Sequence, residues 1–131
     1  MDSITVKSGK RQEMKDITDS VQQHLIRNNF KSGIITVYCP HTTGAITVNE
    51  GADPSVVRDI LVNLEKLIPH TGDYKHLEGN SDAHIKTSLI GPSVQIIVEE
   101  GKLMLGTWQK IFFAEFDGPR SRKVWLKWIQ G

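Results

Sequence analysis

An α+β domain built of largely antiparallel sheets with two helices is the fold class this sequence predicts, on three observations. Short β-branched runs recur along the chain, only two segments repeat apolar residues at helical spacing, and the last runs are joined by Glu100-Gly101 and Asp117-Gly118 turns. At 131 residues the chain is read as one domain spanning 1–131. A chain of this size hides roughly two-thirds of its unfolded surface, so its core needs no covalent staples.

The elements follow in order. Residues 4–7 predict a strand and residues 13–17 a second, short one. Asp19 with Gln22 three positions on has the form of a capping box, so a helix is expected from about residue 20 to 29, with Val21, Leu25 and Asn28 on one face. Lys31-Ser32-Gly33 would close it on a glycine. The run IITVYC, residues 34–39, reads as a buried strand; PHTTG interrupts it, and AITVNE, residues 45–50, resumes strand character. Asp53-Pro54 joins a cap residue to a proline at the first helical position, and Val56, Val57, Ile60, Leu61, Leu64, Leu67 and Ile68 follow at helical spacing until Pro69 stops them. Residues 69–83 form the longest polar segment, a length that in a small domain points to function or disorder. Strands are then expected in HIKTSLIG, VQIIVEE and LGTWQKIFFAEFDG, and a last one in KVWLKWIQ.

Charge and composition exclude several roles. Sixteen basic residues against fifteen acidic ones leave a net charge of +1, against a general nucleic-acid binder. The one basic cluster, Arg120, Arg122, Lys123 and Lys127, reads as a solvated strand edge. No apolar run approaches the roughly 18 residues of a membrane span, no secretory leader is visible, and the single cysteine, Cys39, has no internal partner. A cytoplasmic protein with no membrane or nucleic-acid partner is expected.

Chemistry concentrates in the loops. Of five histidines, His24 is expected on the polar face of its helix, exposed, and His70 in a structural role at a helix end. His41, His76 and His84 sit at loop–strand junctions or in the polar segment, with Glu78 and Asp82 nearby. Imidazoles beside a carboxylate are what a zinc or manganese site needs, and three protein ligands leave a position open for water or substrate; ordinary surface histidines are the competing reading. Glu50 shares the face of Ile46 and Val48, at a sheet edge or in a cleft where it could act as a base. Thr42 and Thr43 before Gly44 could cradle a phosphate or form a simple turn. Arg120 could pair with a phosphate bidentately or face solvent. Cys39 reads as a small buried hydrophobe, with a thiol–imidazole pair to His41 as the alternative. Trp108, Trp125 and Trp128 read as core or subunit interface.

Three segments carry a specific resemblance: HTTGA with NEGADP, GNSDAHIKTSLIG, and SVQIIVEEGKLMLGTWQKIFFAEFDGPRSRKV. They resemble the YjbQ family over nearly the whole chain. The resemblance implies a compact α+β domain that assembles as a homotrimer. It implies a divalent metal (zinc, with manganese or magnesium as alternatives) on His41, His76 and His84 near a subunit boundary, with Glu50 and Asp82 close by as candidate acid–base groups or as groups that support the metal ligands. It also implies a weak, secondary thiamine phosphate synthase activity. Where this chain has Gly44 the family often has alanine or serine. Two functions are therefore expected in competition: a metal-dependent enzyme, transferase or hydrolase, acting on a phosphorylated small molecule held by Thr42, Thr43 and Arg120, or a non-catalytic trimer that binds a small ligand or partner.

Overall fold

Eight strands and three helices succeed one another: β1 (Asp2–Lys7), β2 (Glu13–Asp16), α1 (Thr18–Arg27), β3 (Gly33–Tyr38), β4 (Gly44–Glu50), α2 (Pro54–Leu67), α3 (Ser81–Ile90), β5 (Ser93–Glu99), β6 (Lys102–Leu103), β7 (Gln109–Glu115) and β8 (Ser121–Gln130). The computed structural model describes residues 1–131. Every strand pair is antiparallel, in a five-stranded sheet of order β1-β8-β3-β5-β6 and a three-stranded sheet of order β2-β7-β4.

Period-2 alternation decides which side chains enter the core. On β8, Arg122, Val124 and Leu126 are buried and the residues between them are exposed. Val124 and Leu126 join Val6, Ile35, Val37, Ile96 and Val98 on the inner face of the larger sheet, against Ile46, Ile111 and Phe113 of the smaller sheet and Val21 and Leu25 of α1. The other face of the smaller sheet packs Ala45 and Ala114 against Ala83 and Phe116, with Leu61 and Leu64 of α2 at the margin. The molecule is thus layered, with the three-stranded sheet between the larger sheet and the pair α2 and α3.

Most predicted elements form, and the departures have local causes. The helix expected from residue 20 begins at Thr18; its preceding residue Ile17 makes no side-chain cap, and Asp16 instead accepts the Thr18 N–H at 2.9 Å. Asp19 and Gln22 form no capping box, because Gln22 reaches away to the Gly101 carbonyl and the Leu103 N–H at 2.8 and 3.1 Å. The helix ends through Asn29, whose φ of 54° is the left-handed residue expected of a glycine. Gly33 opens β3, where a Cβ would strike the Ile129 carbonyl. The Asp53-Pro54 start holds: the Asp53 carboxylate accepts the Ser55 N–H at 2.9 Å.

The main correction concerns residues 84–91. HIKTSLIG is not a strand but the body of α3, so the chain has three helices rather than two. The Asn80 carbonyl accepts from the N–H groups of both Ala83 and His84 and so starts the helix. The face this helix buries is Asp82, Ala83 and Lys86, while Ile85 and Leu89 point outward. An inverted pattern of this kind hides a helix from any reading of apolar spacing.

Candidate functional site

The floor of the site is a buried ion pair. Glu115 ends β7 directly opposite Gly44 of β4, and Arg122 lies on the inward face of β8. They are 0% and 4% exposed. Arg122 donates through Nε and Nη2 to the Glu115 carboxylate, and through Nη2 to the Thr43 hydroxyl at 2.9 Å and the Thr43 carbonyl at 3.3 Å. Glu115 also accepts from the Ser8 hydroxyl at 2.7 Å and the Asp117 N–H at 3.0 Å. Burial alone would raise the Glu115 carboxyl; the hydrogen bonds from Arg122, Ser8 and Asp117 outweigh it and hold Glu115 below the usual range. With every lone pair directed, the pair is a rigid brace that locks the 40–43 segment to β7 and β8.

That segment is tied at its start as well. The Cys39 N–H donates to the Pro92 carbonyl at 2.8 Å and its thiol to the Gly44 carbonyl at 3.2 Å. Cys39 is buried, burial pushes its thiol up, and it makes no pair with the His41 ring, which fits the small-hydrophobe reading. Gly44 is required by packing: a Cβ there would come within 2.5 Å of Cζ of the buried Phe113.

Above the brace opens a cleft of about 310 Å3, lined by ten residues of which Pro40 alone has an apolar side chain. His41, Thr42 and Thr43 form one wall; Arg120, Arg122 and Asp117 form the second; Glu78, Asn80 and His84 close the third. Arg120 is anchored by Nε to the Asp117 carbonyl at 2.8 Å and by Nη2 to the Asp117 carboxylate at 2.9 Å. Asn80 donates to the same carboxylate at 2.8 Å, and its Oδ1 is buried without a donor. The bonds of Arg120 and Arg122 use Nε and Nη2, which leaves Nη1 of each guanidinium for a ligand. Burial first, and the Arg122 charge second, press His41 below its ordinary value, so it is neutral at pH 7.

A second cleft of about 410 Å3 adjoins the first and shares His84 with it; Asp73, Tyr74, Lys75, His76, Ser81 and Ile85 line the rest. The His76 and His84 rings meet edge to face with centroids 5.5 Å apart, and His76 Nε2 is 3.8 Å from a Glu78 oxygen.

The sequence-predicted residues divide accordingly. His41, Thr42, Thr43, Arg120 and His84 meet in the first cleft; His76 is in the second, linked to the first through His84. No three His, Cys, Asp or Glu side chains converge on a point that could hold a metal ion. His41, His76 and His84 of one chain therefore do not fit a three-ligand centre, and no step below is routed through a metal. The two acid–base carboxylates lie elsewhere. Asp82 is fully buried, accepting from Arg11 Nη2 at 2.9 and 3.1 Å and from Lys86 Nζ at 3.1 Å; burial would raise its carboxyl, but those bonds outweigh it and keep it low. Glu50 ends the seven-residue β4, roughly 20 Å along the strand from the Thr43 end, where it accepts the Ala52 N–H at 3.0 Å. His24 is buried rather than exposed, 3.5 Å from an Asp2 oxygen, and His70 donates to the Gly79 carbonyl at 3.0 Å. Arg122, Glu115, Asn80 and Asp117 were missed. Arg122 had a signal: it is in phase with Val124 and Leu126, so alternation turns it inward, away from the solvated edge expected of it.

Comparison with known proteins places this geometry. The family model described as UPF0047 protein YjbQ-like matches residues 2–131. A UPF0047 protein of Methanocaldococcus jannaschii is 54% identical, covering 95% of this chain and 90% of that protein. YugU of Bacillus subtilis, also a UPF0047 protein, is 48% identical over 95% of this chain and 96% of its own length. Among solved structures, an uncharacterised YjbQ/UPF0047 family protein of Clostridium acetobutylicum superposes with a TM-score of 0.96 at 55% identity, covering 98% of this chain and all of that one. A hypothetical protein of Aeropyrum pernix superposes at 0.94 with 40% identity, covering 99% and 98%. On sequence and architecture together, the chain belongs to the YjbQ-like UPF0047 family.

Proposed function

We propose that this protein is an enzyme acting on a phosphorylated small molecule, and that the phosphate occupies the cleft between His41, Arg120 and His84. One observation carries the reading: nine of the ten residues that line the cleft are polar or charged, Pro40 being the exception, and two guanidinium groups enter it with Nη1 uncommitted. A planar guanidinium recognises phosphate oxygens with paired donors, and the Thr42 hydroxyl adds a neutral one. The buried Glu115 offsets the charge of Arg122 and Asp117 that of Arg120, so both guanidinium groups serve the anion chiefly as oriented Nη1 donors. His84 faces both clefts, where it can pass a proton between a phosphate ester and whatever the second cleft holds.

Transfer and hydrolysis both suit this arrangement. A thiamine phosphate synthase side activity, coupling a pyrimidine pyrophosphate to a thiazole phosphate, is one transfer that presents such groups. A divalent metal enters the reading at His76 and His84, whose rings already adjoin, completed by ligands from substrate or water. Self-association as a homotrimer belongs to the same reading. Its support is that α2 carries a full apolar stripe yet has no buried residue.

The test is turnover of phosphate esters and pyrophosphates by the purified protein, with and without zinc, manganese or magnesium, beside His84→Ala. Turnover lost in the variant supports the enzyme. Tight binding without turnover leaves the non-catalytic ligand-binding alternative, which the same polar cleft serves.

A further inference from the structure

The hydrogen bond at His41 fixes what that side chain can do. Its Nε2 accepts the backbone N–H of Lys123 at 2.9 Å. The donor is a main-chain amide of β8, held in register with Thr5 of β1 beside the Arg122 brace, so it does not rotate away. A nitrogen that accepts an N–H cannot itself carry a proton. In the neutral ring the proton therefore sits on Nδ1, which bonds to nothing in the protein while the ring lines the cleft.

We infer that His41 is a neutral Nδ1–H donor to an oxygen of the bound anion, and that it is neither a metal ligand nor a general base. Both of those roles need a free lone pair. The Nε2 lone pair is spent on Lys123, and Nδ1 has none in this tautomer. Moving the proton to Nε2 would set two N–H groups against each other in a half-buried site, stranding a backbone donor. His41 is thus the neutral member of a donor set with Thr42 and Arg120. It adds direction toward an oxyanion without adding charge beside two arginines, where an imidazolium would be repelled. Any metal the protein takes is left to His76 and His84. The oxyanion role rests on the phosphate reading above; the tautomer does not.

Long-range 1H–15N correlation spectra of uniformly labelled protein at pH 7 read this directly. The expected result is an unprotonated Nε2 and a protonated Nδ1 for His41, unchanged by zinc. Inorganic phosphate is expected to move the Nδ1 proton resonance. Phosphate affinity should fall about tenfold in His41→Ala, the loss of one hydrogen bond to a charged group, and largely return in His41→Asn, whose amide nitrogen stands near the Nδ1 position. A protonated Nε2, or a His41 nitrogen that shifts on zinc addition, overturns the assignment. If phosphate binds but His41 does not respond, the donor role fails while the cleft reading survives. If phosphate binds nowhere, the cleft reading and the oxyanion role both fail, and only the tautomer remains.

Discussion

At the scale of single residues, the cleft depends on side chains that have only one workable state. Gly44 is the plainest case. The Phe113 ring fills the space a Cβ would need. Gly44→Ala should therefore destabilise the protein by about 1–3 kcal/mol, the usual cost of forcing extra volume into a packed core, measured by urea denaturation. Pairing it with Phe113→Leu should recover part of that loss. His24 gives a pH prediction. Burial lowers its value, with Arg27 adding to this and Asp2 opposing it, so the unfolded chain, near 6.5, takes up a proton before the folded one does. Its stabilising share is whole above about pH 6.5 and declines as pH falls toward the lower folded-state value. Denaturation midpoints measured from pH 7.5 to 5 should drop in the wild type and drop less in His24→Phe. The residue-level reading of the sequence located His41, Thr42, Arg120 and His84. It missed Glu115 and Asp117, whose roles arise from cross-strand pairing that no local spacing encodes.

At the scale of elements, α3 shows why charge can hide a helix. Its inward face is an ion network: Lys86, wholly buried, donates to Asp82 at 3.1 Å and to Glu65 of α2 at 2.9 Å, while Arg11 from the β1–β2 connection grips Asp82. Three separate segments are thus joined through Lys86 and Asp82 together. Lys86→Ala should cost about 3 kcal/mol, because the fully buried Asp82 is left with Arg11 as its one cationic partner. The check is a fall in the urea midpoint larger than that of an exposed lysine such as Lys66→Ala. This network also explains the fate of the Asp82 expectation. A carboxylate near two histidines in sequence suggested acid–base work; the half turn of helix between Asp82 and His84 puts it on the opposite face, where it serves the fold. The alternating strands β3 and β8, the short β-branched run of β4 and the Asp53-Pro54 helix start were legible because their signals are local. α3 was not, because what it buries is polar.

At the scale of the whole molecule, two apolar surfaces lie open. None of the helices is long and apolar enough to cross a membrane, so lipid-spanning helices do not explain them. On the outer face of the five-stranded sheet, Ile34 has Ile97 and Ile129 as cross-strand neighbours, and the Tyr38 ring stacks on Trp125 with centroids 5.8 Å apart. Ile97 and Ile129 are 60% and 56% exposed. Contiguous apolar patches of this kind mark association surfaces. Light scattering across a concentration series should give a mass three times the 14.7 kDa of the chain; a mass that stays at one chain throughout contradicts the trimer. The central claim, however, is that the largely polar cleft receives a phosphate, and calorimetric titration of inorganic phosphate into wild type and Arg120→Ala tests it most directly. Arg120 is surface-exposed enough for the variant to fold, which circular dichroism would verify. The account predicts one site per chain, weakened about tenfold or more in Arg120→Ala by loss of a charge-assisted contact. Equal affinity in the two proteins, or no binding to the wild type, would contradict it.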